Sequence, residues 1–241
     1  MKKIIFILLI VFCTIKIDDC SAQWEPDVRL SDSLFESRIT YSATCMASNG
    51  NEVHMVWFDK RDGNYEIYYK RSTNGGSNWE ADKRLTNNTA VSQHPSLAIS
   101  GQILHVVWSD FRDGNYEIYY KQSTDGGSNW GSDIRLTNAT ASSGYPCIAL
   151  SGQVLHLVWR DVRDGNNEIY YKRSTDGGSN WEMDTRLTND TSKSDNPVVA
   201  VSGSVVHVSW ADERDQIGTE WNIEIYYKRS TDGGISWGAD I

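Results

Sequence analysis

The sequence predicts an all-β fold, a β-propeller built of four-stranded antiparallel blades, and three observations carry that prediction. One segment is written four times, at 54–79, 105–130, 156–181 and, with an insertion, 207–237. Trp57, Trp108, Trp159 and Trp210 mark it at intervals of 51 residues, a period found in propeller blades rather than in helical or leucine-rich repeats. Inside each period short β-branched and aromatic runs are punctuated by turn residues, and no helical periodicity occurs.

The second copy shows each element. Ser96 to Ser100 is a short apolar strand, Gly101-Gln102 a turn, and Ile103 to Trp108 a second strand. Arg112-Asp113-Gly114-Asn115 turns the chain, its Asp-Gly pair suiting the positive backbone angles of a tight hairpin. Glu117 to Gln122 forms a third strand, the glycine-rich stretch Ser123 to Asn129 turns again, and Trp130 to Leu136 forms a fourth. The expected blades are 41–88, 93–139, 144–190 and 195–241, with a stray outer strand at 24–30 whose WEPDVRL repeats WEADKRL of 79–85.

The turn before the fourth strand carries the most specific motif, S-x-D-x-G-x-x-W. Its copies are Ser72, Asn74, Gly76 and Trp79, with asparagine in the aspartate position; Ser123, Asp125, Gly127 and Trp130; Ser174, Asp176, Gly178 and Trp181; and Ser230, Asp232, Gly234 and Trp237. The physics of such a turn is structural: a short carboxylate accepts from the turn's own backbone, glycine permits special angles, and tryptophan seals the turn onto the blade. Four copies in register resemble the Asp-box, or BNR repeat, of the sialidase-like superfamily over essentially all of 24–241. The resemblance implies a propeller whose Asp-boxes stabilise the blades, and sialidase-like propellers usually have six. Four blades and a strand read as an incomplete array, with a closed four- or five-bladed ring or an assembly of several chains as alternatives.

Residues 1–22, with Lys2-Lys3, the apolar run Ile4 to Ile15 and a small-residue end at Cys20-Ser21-Ala22, read as a secretory signal peptide cut before Gln23. The propeller domain is then 23–241, and secretion to the outside or cell surface, or to a periplasm, is expected. The formal charge is −9, and removal of the leader leaves 20 basic against 30 acidic residues, net −10. An acidic exported domain is a poor partner for nucleic acid or an anionic membrane. Cys45 and Cys147 remain after cleavage, at equivalent positions two blades apart, and are expected as two buried thiols too distant for a bridge. Zinc-ligand patterns, C-x-x-C and a phosphate-cradling glycine loop are missing, so no metal or cofactor is expected.

The sialidases that the repeats resemble grip a sugar carboxylate with an arginine cluster and use a tyrosine nucleophile with a glutamate and an aspartate acid/base. Such a site is asymmetric, whereas here Glu66, Glu117, Glu168 and Glu224, Tyr68, Tyr119, Tyr170 and Tyr226, and Arg84, Arg135 and Arg186 recur in every blade that reaches them. They read as blade scaffolding. Arg38-Ile39-Thr40 lacks the proline of the family's Arg-Ile-Pro segment, and no catalytic residue is assigned. The repeated histidines 54, 105, 156 and 207 read as packed strand residues.

The resemblance implies a ligand face opposite the Asp-boxes, where the loops between second and third strands carry Arg61-Asp62, Arg112-Asp113, Arg163-Asp164 and Arg214-Asp215. Carboxylates and guanidinium forks can bind sugar hydroxyls, which makes these pairs the candidates for a ligand, while local pairing that rigidifies hairpins is the preferred reading of them. Blade four lengthens this loop with Gln216 to Asn222, where Glu220 adjoins Trp221, a tryptophan outside the repeat pattern. His94, Tyr145 and the 31–43 segment also break the symmetry and are read as loop variation. The expectation is a noncatalytic glycan- or partner-binding module; the alternative is an exo-α-sialidase-type glycosidase or a fragment of one.

Overall fold

The computed structural model describes residues 26–31, 34, 36–41, 43–215 and 222–241. The leader and the centre of the blade-four loop, including Glu220 and Trp221, lie outside the described residues. Residues 26–30 belong to a unit separate from Ser31–Ile241 and carry no regular secondary structure.

Ser31–Ile241 is all β among the described residues. The first sheet holds β1 (Ser37–Arg38), β2 (Met46–Asn49), β3 (Glu52–Asp59), β4 (Glu66–Ser72) and β5 (Lys83–Arg84). The second runs β6 (Ser92–Ser100), β7 (Ile103–Asp110), β8 (Glu117–Ser123), β9 (Ile134–Arg135), and the third β10 (Ser143–Ser151), β11 (Val154–Asp161), β12 (Glu168–Ser174), β13 (Thr185–Arg186). The fourth holds β14 (Ser194–Ser202), β15 (Val205–Asp212) and β16 (Glu224–Ser230). All pairs are antiparallel and, apart from β1 with β3, sequential, the meander of a propeller blade.

Two elements differ from expectation. The fourth strand shortens to two paired residues, because the Asp-box turn and its tryptophan occupy the first half of Trp130 to Leu136. The first strand begins earlier, at Ser92 rather than Ser96, and carries a bulge between Gln93 and Ser96, repeated between Gly144 and Cys147 and between Asp195 and Val198. In the first sheet β1 and β2 both pair with β3 as two halves of one inner strand. In the hairpin turn Gly114 takes φ 90 and its N–H donates to the Phe111 carbonyl at 3.1 Å.

The hydrophobic core lies between blades. Val56, Phe58, Ile67, Tyr69 and Leu85 of the first sheet pack on Leu97, Leu104, Val106, Trp108 and Tyr119 of the second. The same two faces meet between second and third and between third and fourth. Period-2 alternation explains this, since odd and even positions of each strand serve opposite neighbours. The faces at the two ends of the array are left open: Ile67, Ile118 and Ile169 are 0% exposed, whereas their counterpart Ile225 is 73% exposed, and Met46 at the other end is 48% exposed.

His54, His105 and His156 are buried, each with Nδ1 on a tyrosine hydroxyl of the next strand, Tyr69, Tyr120 and Tyr171. Cys147 is buried and Cys45 only half-buried; both are free thiols. Burial pushes both thiols up.

Candidate functional site

The repeated polar residues form one lock per blade. Asp161 is fully buried and accepts from the indole of Trp159 at 2.8 Å, the hydroxyl of Ser143 at 2.8 Å, and the backbone and side chain of Arg163. Arg163 also bonds Asp184 at 2.8 Å and lies over the Tyr170 ring at 4.4 Å, and the Tyr170 hydroxyl donates to Asp164. The lock recurs in Arg61 with Asp59 and Asp82, Arg112 with Asp110 and Asp133, and Arg214 with Asp212 and Asp240. Asp62, Asp113 and Asp215 take the hydroxyls of Tyr68, Tyr119 and Tyr226. Burial works against the charge on Asp59, but hydrogen bonds from Arg61 and Ser37 outweigh it and hold the carboxyl at about 2. The four Arg-Asp pairs sit at corresponding positions, engaged within their own blades.

The glutamates are tied in the same way. Glu117 and Glu168 are fully buried, accept Arg135 and Arg186 at 2.9 and 2.8 Å, and accept the hydroxyls of Thr137 and Thr188 at 2.5 Å. In the Asp-box, Ser123 Oγ donates to Asp125 at 2.9 Å and accepts Gly127 N–H at 2.9 Å, while Asp125 accepts Asn129 N–H at 2.8 Å. Backbone and side chain of Asn129 hold the Asp125 carboxyl at about 2, and Asn180 does so for Asp176. Ser230 and Ser236 lower Asp232 as well. Asn74 accepts the Asn78 N–H at 2.8 Å through its amide oxygen, so the variant box closes too.

The asymmetry lies elsewhere, where the inner-strand bulges come together. His94, Tyr145 and Asn196 sit at the bulges of β6, β10 and β14 with φ of 55, 55 and 53. Each precedes a proline, which normally drives its neighbour to extended backbone. Non-glycine residues in the left-handed region cost on the order of 1–3 kcal/mol and concentrate at functional positions. Here the bend brings His94 and Tyr145 together in one strip. The rings of His94 and Tyr145 stack at 4.1 Å, and Phe58 meets His94 and Tyr65 edge-on at 5.5 and 5.3 Å. Arg160 lies 4.4 Å over Tyr145 and pairs with Asp195 at 3.2 Å, to which Asn167 also donates at 3.2 Å. The buried Arg160 Nε has no hydrogen-bond partner among the described residues. At the other end the Tyr65 hydroxyl donates to Glu36 at 2.6 Å, and Glu36 pairs with Arg38.

The strip therefore runs from Glu36 in the first blade to Asp195 in the fourth. Burial, with Arg160 and Arg38 nearby, pulls His94 down to about 4, so its imidazole is neutral at pH 7. Sequence reading treated His94, Tyr145 and the 31–43 segment as loop variation, and the structure joins His94 and Tyr145 with Glu36 and Arg38 of that segment. The signal lay in the differences between copies. The residue after the repeated tryptophan is Phe58, Ser109, Arg160 or Ala211, and the residue before the repeated glutamate is Tyr65, Tyr116, Asn167 or Ile223. Among the described residues no cluster of histidine, cysteine and carboxylate side chains could hold a metal ion, and no helix is long and apolar enough to cross a membrane.

Blades with Asp-boxes and strand meanders define a sialidase-like β-propeller. The chain belongs to the BNR repeat-containing family, whose model matches residues 92–240. No curated protein matches the sequence. Among solved structures it is similar to an α-L-arabinofuranosidase of Fusarium graminearum in complex with arabinobiose, at 17% identity and TM-score 0.60, covering 76% of this chain and 60% of that one. It is similar to an α-L-arabinanase of Penicillium chrysogenum complexed with arabinobiose, at 14% identity and TM-score 0.61 over 82% and 63%. Trypanosoma rangeli sialidase in complex with sialic acid matches at 13% identity and TM-score 0.60, over 83% of this chain and 38% of that one. The chain thus spans less than two thirds of these proteins, and at such identities the likeness is one of fold.

Proposed function

We propose that this chain is an exported, noncatalytic propeller that binds glycans along the strip from Glu36 to Asp195. The observation that carries this reading is the strip itself: a run of non-repeated aromatics, His94, Tyr145 and Phe58, flanked by a cation at Arg160 and amide and carboxylate groups at Asn167 and Asp195. Aromatic faces stack on sugar C–H surfaces while forked polar groups take hydroxyls. Arabinobiose in two of the similar structures and sialic acid in the third support a sugar as the class of ligand. Trp221, in the loop that lengthens blade four, and its neighbour Glu220 remain candidates for an edge of the site, and the Arg-Asp pairs serve as its supports.

Glycan-array binding followed by calorimetry tests the proposal. Tyr145→Ala is expected to weaken binding about 10- to 100-fold, the range for loss of a central aromatic contact. Trp221→Ala weakens it similarly if the loop forms the edge. Full affinity in both variants, or no glycan bound by the parent, overturns the site.

One geometric feature favours a second reading. Tyr65 and Glu36 form a close hydroxyl–carboxylate pair, the residue types that sialidases use for nucleophilic attack. Against it, hydrogen bonding to Glu36 raises the Tyr65 hydroxyl, keeping it protonated, and Arg38 and Arg160 are each committed to a carboxylate rather than clustered for a substrate. Purified protein is expected to release neither sialic acid nor arabinose from fluorogenic glycosides. Turnover abolished by Tyr65→Phe would make the chain a hydrolase.

A further inference from the structure

We propose that the exposed face of the fourth blade docks onto the first blade of a second copy of this chain, head to tail. The three junctions inside the array use one device. Tyr69, Tyr120 and Tyr171 push their hydroxyls against Gly127, Gly178 and Gly234 of the following blade, where a Cβ would lie only 2.0, 2.2 and 2.0 Å away. Their rings pack edge-on against Trp130, Trp181 and Trp237 at 5.1, 5.5 and 4.9 Å. Two residues further along the strand, Arg71, Gln122 and Arg173 donate to the carbonyls of Gly126, Gly177 and Gly233 at 2.7, 3.0 and 2.7 Å. The glycines are thus sockets whose missing side chains admit the tyrosine.

Among the described residues one knob and one socket stay unmatched. In β16, Tyr227 and Arg229 occupy the knob positions, beside Ile225, exposed where its three counterparts are covered. In the first blade Gly75 and Gly76 keep the positive φ of the other sockets, at 68 and 90, yet a Cβ on either meets nothing within 4 Å among the described residues. Knob and socket stand at opposite ends and match the geometry that the chain satisfies three times internally. A contact between them is heterologous: it joins copies into a ring or an open row rather than into a two-fold pair.

Light scattering on the purified chain over a dilution series tests this. The average mass should rise with concentration to at least twice that of the protomer. Ile225→Arg or Arg229→Glu on the knob face, and Ser77→Arg on the socket rim, alter exposed side chains, and each should hold the protein at protomer mass. An equimolar mixture of Ile225→Arg with Ser77→Arg should pair into a dimer and go no further, because one intact knob and one intact socket remain. A parent that stays at protomer mass, oligomers that persist in the single variants, or a mixture that fails to pair each overturn the proposal. None of these readouts depends on glycan binding.

Discussion

Asp161→Ala is expected to lose on the order of 3–5 kcal/mol of stability, the range for breaking a buried charge pair by removing one partner. The carboxylate has no exposure and gathers three elements: the Ser143 hydroxyl from β10, the Trp159 indole from β11, and the Arg163 guanidinium from the hairpin that follows. Its removal leaves the buried Trp159 indole N–H without its acceptor and Arg163 with Asp184 as its one remaining carboxylate among the described residues. Against a total of about 5–15 kcal/mol for a folded domain, that loss leaves the third blade open or the chain unfolded. Urea unfolding of parent and variant measures it. Asp161→Asn, which keeps the shape and one acceptor but no charge, should fall between them. A variant that unfolds at the same urea concentration as the parent would show that the lock does not hold the blade.

Acid should be the second lever, acting first through histidine. His105 and His156 are 3% and 1% exposed, and burial draws both down to about 4, with Arg173 adding to the effect at His156. In the unfolded chain histidine titrates near 6.5, so between about 6.5 and 4 the unfolded state binds more protons than the folded one. Stability is therefore complete above that window and declines as the pH falls through it, by on the order of 2–3 kcal/mol per histidine at pH 4. A lower window follows, between about 4 and 2, in which Asp125 and Asp176 protonate and the Asp-box turns lose their acceptors. Urea titrations at several pH values should show the first decline in the parent and a shallower one in a His105→Asn, His156→Asn double variant. A profile flat from pH 7 to 4 would contradict the buried neutral imidazoles.

Much of this molecule was legible one copy at a time. A 51-residue period with four strand-length runs, and a turn motif that closes by its own hydrogen bonds, depend on neighbours in the chain. Local chemistry therefore determines them. The repeated Glu117, Tyr119 and Arg135 likewise declared themselves as scaffolding, because a side chain used alike in every blade bonds within its own blade. The inner-strand bulges were not legible: they arise where His94-Pro95, Tyr145-Pro146 and Asn196-Pro197 interrupt pairing, and sequence alone read His94 and Tyr145 as loop variation.

By itself, then, the sequence determined the blade, the Asp-box and the order of the array, all of which follow from contacts a few residues to a few tens of residues apart. Only the tertiary structure decided which unlike residues meet. Glu36, Tyr65, His94, Tyr145, Arg160 and Asp195 are spread over most of the chain and share no motif, and they form one strip because inner strands of successive blades converge and their bulges bend the same way. The open faces were decided there too. Ile225 and Ile169 have identical neighbours in the sequence, Glu-Ile-Tyr-Tyr-Lys-Arg-Ser, and one is exposed while the other is buried because a blade's burial is supplied by the blade beside it.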